Sequence, residues 1–232
     1  MKTFWKTMNT IYEKTMLVIF VIALLIVVYA LYDTWYVFDH ANDKSYLNYK
    51  PGQVNADASP ADSPITQDMV GWITMDDTNI DYPIMQGADN TAYLNRDPYG
   101  QYSLAGSIFL DSRNDSAFAD PYSVIYGHHM EYGVMFGALD DYLQDDYLRS
   151  HTHGELLVGR DGKVCYDLQV FYAMAADAKD EFIFDPGNYE ELYAFLEEKG
   201  LGTDHRILCL STCAGDASST RTVVFAYILD ID

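Results

Sequence analysis

Residues Met16 to Tyr32 (MLVIFVIALLIVVYALY) carry no charge, and no other feature restricts this chain's fold as strongly. These 17 residues, helical at about 1.5 Å each, nearly cross a hydrocarbon core of roughly 30 Å. With Thr15 and Thr34 to Phe38 at the ends the length suffices, which predicts a transmembrane anchor over 16–38. Lys2, Lys6 and Lys14 precede it against Glu13 alone, while Asp33 and Asp39 follow. The positive-inside rule then leaves residues 1–15 in the cytoplasm and places everything after the anchor outside. A buried core helix rarely runs so far without a polar face. A cleaved signal peptide would need a cut near Val28 and Ala30, inside an apolar run longer than the usual h-region of about 7 to 15 residues. The uncleaved anchor is the reading kept.

Across 232 residues, 49% hydrophobic content is enough for one packed core and excludes disorder throughout. Lys and Arg number 14 against 35 Asp and Glu, a formal charge of -21. That balance would repel a phosphate backbone, so nucleic acid is set aside as a partner. Cys165, Cys209 and Cys213 are too few, and odd in number, for a disulfide framework.

Residues 39–68 are polar and turn-rich, with Pro51, Gly52, Pro60 and Pro64 and no sustained period. They read as a stalk leading to an outer domain at 69–232. In that domain short apolar runs recur between turn signals: GWITM, NIDYPIM, SIFLD, SVIYG, ELLVG, VCYDLQVFYAM, RILCLSTC and TVVFAYIL. Their β-branched and aromatic content argues strands. Asp161-Gly162 predicts a type I′ hairpin turn. Two helices are expected. Met135 to Arg149 carries Phe136, Leu139, Leu143 and Tyr147 on one stripe, with Asp140, Asp141, Asp145 and Asp146 facing water. Tyr189 to Lys199 has Asn188 as N-cap, Glu191 at the capping-box position and Gly200 as terminator. About eight strands with few helices, and no strand–helix alternation, favour a mainly β fold. The expected form is a closed or nearly closed antiparallel-rich barrel.

Cys213 ends an apolar strand and is followed by Ala214, Gly215 and Asp216, a position where a thiol is both exposed and rigidly placed. Arg221 opens the final strand. If the two strands pair antiparallel, it stands at the same sheet end, where a guanidinium can stabilise a thiolate and an oxyanion. His128 ends another strand through Gly127, and imidazole can trade protons with a thiol near neutral pH. Strand alternation puts 124, 126 and 128 on one face and turns His129 away. His151 and His153 are not followed by a Cys or third His at ligand spacing, and no Asp-x-Asp-x-Asp-Gly loop occurs, so no metal site is expected.

At these residues the sequence resembles a known family. Leu210, Ser211, Thr212 and Cys213 with downstream Arg221 are similar to the Thr-Leu-x-Thr-Cys plus Arg signature of sortases, membrane-anchored cysteine transpeptidases of Gram-positive bacteria. Tyr126, Gly127 and His128 resemble that family's Gly-His segment. The likeness is to class B: Gly71 to Ile73, Asn79 to Pro83, Tyr93 to Asn95, and Gly106 to Asp111 resemble its first barrel strands, and Met135 and Phe136 its helix after the histidine. It spans about residues 69 to 229. Two departures stand out: Cys209 replaces the usual threonine, and the connection from Cys213 to Arg221 is shorter than expected. In an extended strand Cys209 lies about 13 Å from Cys213, too far for a disulfide, and reads as core packing.

The resemblance implies a sortase barrel and a reaction without cofactor. Cys213 would attack the carbonyl after Thr in an Asn-Pro-x-Thr-x sorting signal. Arg221 would hold the oxyanion, and His128 would protonate the leaving amine. The thioester would pass to a peptidoglycan amine, attaching a secreted protein to the cell wall. By similarity Asn95, Tyr126, Ser211, Thr212, Phe182 and Ile183 would line the groove. Two alternatives stay open: a pilin polymerase using a pilin lysine as acceptor, and a non-enzymatic membrane-tethered binding module in which Cys213 is inert.

Overall fold

The computed structural model describes residues 2–41, 43–52, 63–213 and 219–231. They form two compact units, Met1–Asn42 and Asp43–Asp232. The first is one helix, α1 (Lys2–Ala41), whose stretch Thr3–Tyr36 is long and apolar enough to cross a membrane. It extends the expected span at both ends.

The second unit is a closed barrel of eight strands, one for each expected run: β1 (Met69–Met75), β2 (Asp81–Met85), β3 (Ile108–Leu110), β4 (Tyr122–His128), β5 (His153–Val158), β6 (Val164–Asp177), β7 (Arg206–Cys213) and β8 (Thr220–Asp230). Their spatial order is β1-β2-β3-β4-β7-β8-β6-β5. Pairing is antiparallel except at β2–β3 and β4–β7. Closure leaves no unpaired sheet edge. The core is apolar, with Trp72, Ile73, Ile125, Leu210, Val224 and Phe225 fully buried.

Several local expectations are corrected. The segment read as stalk is partly docked. Ser45–Tyr49 form a 3-10 turn that lays Tyr46 against Trp72 and Tyr82, with ring centroids 5.9 and 5.6 Å apart. Lys50 Nζ meets Asp81 at 2.9 Å. Residues 53–62 of that segment lie outside the described residues. The β5–β6 connection is not a two-residue type I′ turn. The last ladder pair is Val158 with Val164, and the positive φ angles fall at Gly159 and Gly162, not at Asp161. Arg160 leaves that loop to donate to the carbonyls of Ile65 and Thr66.

The expected helix over Met135 to Arg149 is broken at Gln144 into a 3-10 helix, Phe136–Leu143, and α2 (Asp145–Ser150). A three-residue period stacks Phe136, Leu139 and Tyr142 on one buried face, and Leu143, expected inside, is 45% exposed. A further turn, α3 (Glu181–Phe184), precedes α4 (Tyr189–Glu198). The Asn188 side chain makes no capping bond. Gly200, at φ +75, does end α4: its N–H meets the Glu197 carbonyl while Leu201 N–H meets Leu196, a Schellman close.

Candidate active site

The parallel ladder between β4 and β7 runs from Tyr122 opposite Ile207 to His128 opposite Cys213, its last rung. Two residues distant along neither strand, His128 and Cys213 are therefore adjacent in backbone although 85 positions apart in sequence. The Cys213 side chain and residues 214–218 lie outside the described residues. Gly127 is required just before the imidazole, since a Cβ there would stand 2.4 Å from Ile108 Cδ1 and 2.8 Å from the Phe136 ring. His128 Nε2 lies 2.6 Å from the Leu94 carbonyl. A carbonyl only accepts, so Nε2 carries a hydrogen and Nδ1 is the nitrogen left to exchange a proton.

Arg221 comes from the start of β8. The β7–β8 ladder ends at Ser211 opposite Val223, and the same register two residues on sets Cys213 opposite Arg221. Its Nη1 donates to the Thr212 carbonyl at 3.1 Å, next to the Cys213 peptide group. Its guanidinium carbon also sits 5.6 Å from the centroid of the Phe184 ring, a cation–π contact. Three strand tips thus bring His128, the Cys213 backbone and Arg221 to one end of the barrel.

The other two thiols have different surroundings. Burial pushes Cys209 up to about 12 within the core, against a lowering contact from Tyr122. Cys165 is also pushed up to about 12, by burial and then by its bond to Glu155 Oε1 at 3.0 Å. Neither forms a thiolate near neutral pH.

The expected groove residues divide. Asn95 is exposed and directly follows Leu94. Phe182 is half-buried against Phe195, centroids 5.3 Å apart. Tyr126 is 9% exposed and donates its hydroxyl to Asp111 Oδ2 at 3.1 Å; burial and that carboxylate push its pKa upward, so it stays a neutral donor. Ser211, Thr212 and Ile183 are buried, at 0%, 3% and 0% exposure. Ser211 Oγ is turned to the Thr212 carbonyl, Thr212 Oγ1 accepts from Thr222 N–H, and the Ile183 carbonyl takes the Tyr122 hydroxyl at 2.7 Å.

Sequence reasoning missed the pair that ties α3 to the barrel. Asp111, whose side chain is fully buried, accepts both Arg113 Nε and Nη2, at 2.9 and 2.8 Å. The same guanidinium reaches Asp185 Oδ1 and the Phe184 carbonyl, tying α3 to the barrel beside Arg221. Burial alone would raise the Asp111 carboxyl, but the Arg113 guanidinium, the Arg113 backbone N–H and the Asn90 amide together hold it below the ordinary range. A depressed carboxyl stabilises the fold above its unfolded pKa of about 3.9 and loses that contribution as pH falls through the lower folded value. Arg113→Gln is expected to destabilise by about 1–3 kcal/mol at pH 7, less than a fully buried pair because half of the guanidinium meets water. Thermal melts from pH 7 to pH 3 check this: the gap between parent and variant should shrink on acidification.

The family model described as the sortase domain matches residues 73–229. The chain belongs to the sortase family. It is 36% identical over 180 residues to a sortase B of Staphylococcus aureus, covering 72% of each chain. A solved S. aureus sortase B–substrate complex superposes with a TM-score of 0.63 at 32% identity, over 72% of this chain and 82% of that one. A Streptococcus pyogenes class B sortase involved in pilus biogenesis matches equally, with TM-score 0.63, 33% identity, and 71% and 94% of the two chains. The sortase relatives are of class B, and membership carries cysteine transpeptidase chemistry on sorting-signal substrates.

Proposed function

We propose that this sortase is a single-pass membrane protein, its N-terminus cytoplasmic, that cleaves an Asn-Pro-x-Thr-x signal after Thr and transfers the protein to a peptidoglycan amine. The observation that carries this is the last rung of the β4–β7 ladder, His128 against Cys213, with Arg221 bonded to the carbonyl beside it. Cys213, as thiolate, attacks the threonine carbonyl. The Arg221 guanidinium, already clamped between Thr212 and Phe184, presents its remaining N–H donors to the oxyanion. Since Nε2 of His128 is committed to Leu94, Nδ1 of the imidazolium, which holds the proton given up by the Cys213 thiol, is the nitrogen that protonates the departing amine. The thioester then yields to an incoming amine. The elevated thiols of Cys165 and Cys209 leave Cys213 as the nucleophile.

Pilin polymerisation is the second reading, favoured by the likeness to the S. pyogenes enzyme involved in pilus biogenesis. The full-length chain in detergent micelles, given an Asn-Pro-x-Thr-x peptide and competing acceptors, separates the two. Cleavage that requires Cys213 and joins the peptide to a peptidoglycan stem or cross-bridge amine supports wall anchoring. Preference for a lysine-bearing pilin supports polymerisation, and a folded chain that cleaves nothing supports a binding module.

A further inference from the structure

Each of the three proposed catalytic residues has an immediate chain neighbour; two of these neighbours meet on one carboxylate and the third is bonded to one of the two. His129, after His128, places Nε2 2.7 Å from Asp140 Oδ2. Thr222, after Arg221, donates its hydroxyl to Asp140 Oδ1 at 2.5 Å. Thr212, before Cys213, accepts the Thr222 N–H on its own hydroxyl at 2.9 Å, while its carbonyl takes Arg221. We propose that Asp140 is a positioning residue of the transpeptidase, the hub that sets the spacing of the three strand tips; this rests on the catalytic reading above.

The barrel gives the tips of β4 and β8 no direct tie to each other. Strands β4 and β8 are not neighbours, since β7 runs between them. The β7–β8 ladder also stops at Ser211 opposite Val223, short of Arg221. Beyond that rung the Thr222 N–H goes to a side-chain oxygen and the Thr212 carbonyl to a guanidinium, so no β7–β8 ladder bond reaches the tip, which the barrel holds from its other side through β6, paired out to Asp177 opposite Thr220. Asp140 supplies the missing tie from a rigid base. Its 3-10 helix is anchored by Phe136, Leu139 and Tyr142, all buried, and Phe136 packs under Gly127 beside His128. The Asp140 and His129 side chains are 48% and 43% exposed, so their charge attraction is screened. The short Thr222 bond bears most of the positioning.

Full-length protein in detergent micelles, assayed on an Asn-Pro-x-Thr-x peptide, tests the hub. Asp140→Leu removes both acceptors and should lower kcat about 10- to 50-fold, with KM within about threefold, as expected of misplaced reacting groups. Asp140→Asn keeps an acceptor for Thr222 and should recover most of kcat. Thr222→Val should match Asp140→Leu, Thr222→Ser should restore activity to within about threefold, and the double variant should be no worse than either single one. Additive losses, an effect on KM alone, or unaltered kcat in Asp140→Leu and Thr222→Val would overturn the proposal while leaving the active-site reading intact, provided Cys213→Ala is inert. An active Cys213→Ala would remove that reading and the hub with it.

Discussion

Truncating His128 to alanine is expected to cut turnover by about 10²- to 10⁴-fold, the range for loss of a positioned proton donor, whereas His129→Ala should stay within about tenfold of the parent. The two imidazoles are adjacent in sequence but face different partners. His128 continues the β4 ladder and is fixed at Leu94. His129 leaves the strand, bridges to Met135 and turns its ring to Asp140. Only the first stands on the rung with Cys213. Its loss removes the group that protonates the leaving amine, so the decrease should appear in kcat with the peptide KM little changed. A parallel assay of the two variants decides the matter, and the reverse ranking would mean that His129 is the proton donor.

Replacing Arg221 by lysine should lower kcat by about 10²- to 10³-fold, comparable to removing an oxyanion-hole donor, although the charge is retained. The guanidinium does two things in one plane: it holds the Thr212 carbonyl at 3.1 Å and lies over the Phe184 ring. A planar fork can do both and still aim free N–H groups at a developing oxyanion; an ammonium is a point charge on a flexible stem. Steady-state kinetics on Arg221→Lys, with a melting curve to confirm folding, provides the test, and near-parental turnover would remove Arg221 from the oxyanion role.

All eight strands could be read in the sequence because each is a short β-branched or aromatic run between turn residues; period-two alternation put His128 and His129 on opposite faces, and the resemblance to the family pointed to His128. The helical region was harder. Phe136, Leu139 and Leu143 fit an α-helical stripe as well as Phe136, Leu139 and Tyr142 fit a 3-10 one, and only packing against the barrel chooses between them. Asp140 looked like one more acid on a solvated face, since its partners His129 and Thr222 are 11 and 82 residues away. Arg113 was invisible for the same reason: it joins Asp111 to Phe184 and Asp185 across more than 70 positions. Residues assigned to a groove by similarity differ in exposure because chain position does not fix burial, as buried Ile183 beside half-buried Phe182 illustrates.

Acyl-enzyme trapping probes the convergence of the three tips most directly. The full-length chain is incubated with an Asn-Pro-x-Thr-x peptide without acceptor amine, quenched in acid, digested and read by mass spectrometry. A thioester should be found on Cys213 carrying the peptide through its threonine, with Cys165 and Cys209 unmodified, and it should be lost in His128→Ala and Arg221→Lys under single-turnover conditions. An acyl group on another residue, or cleavage that persists in Cys213→Ala, would contradict the account.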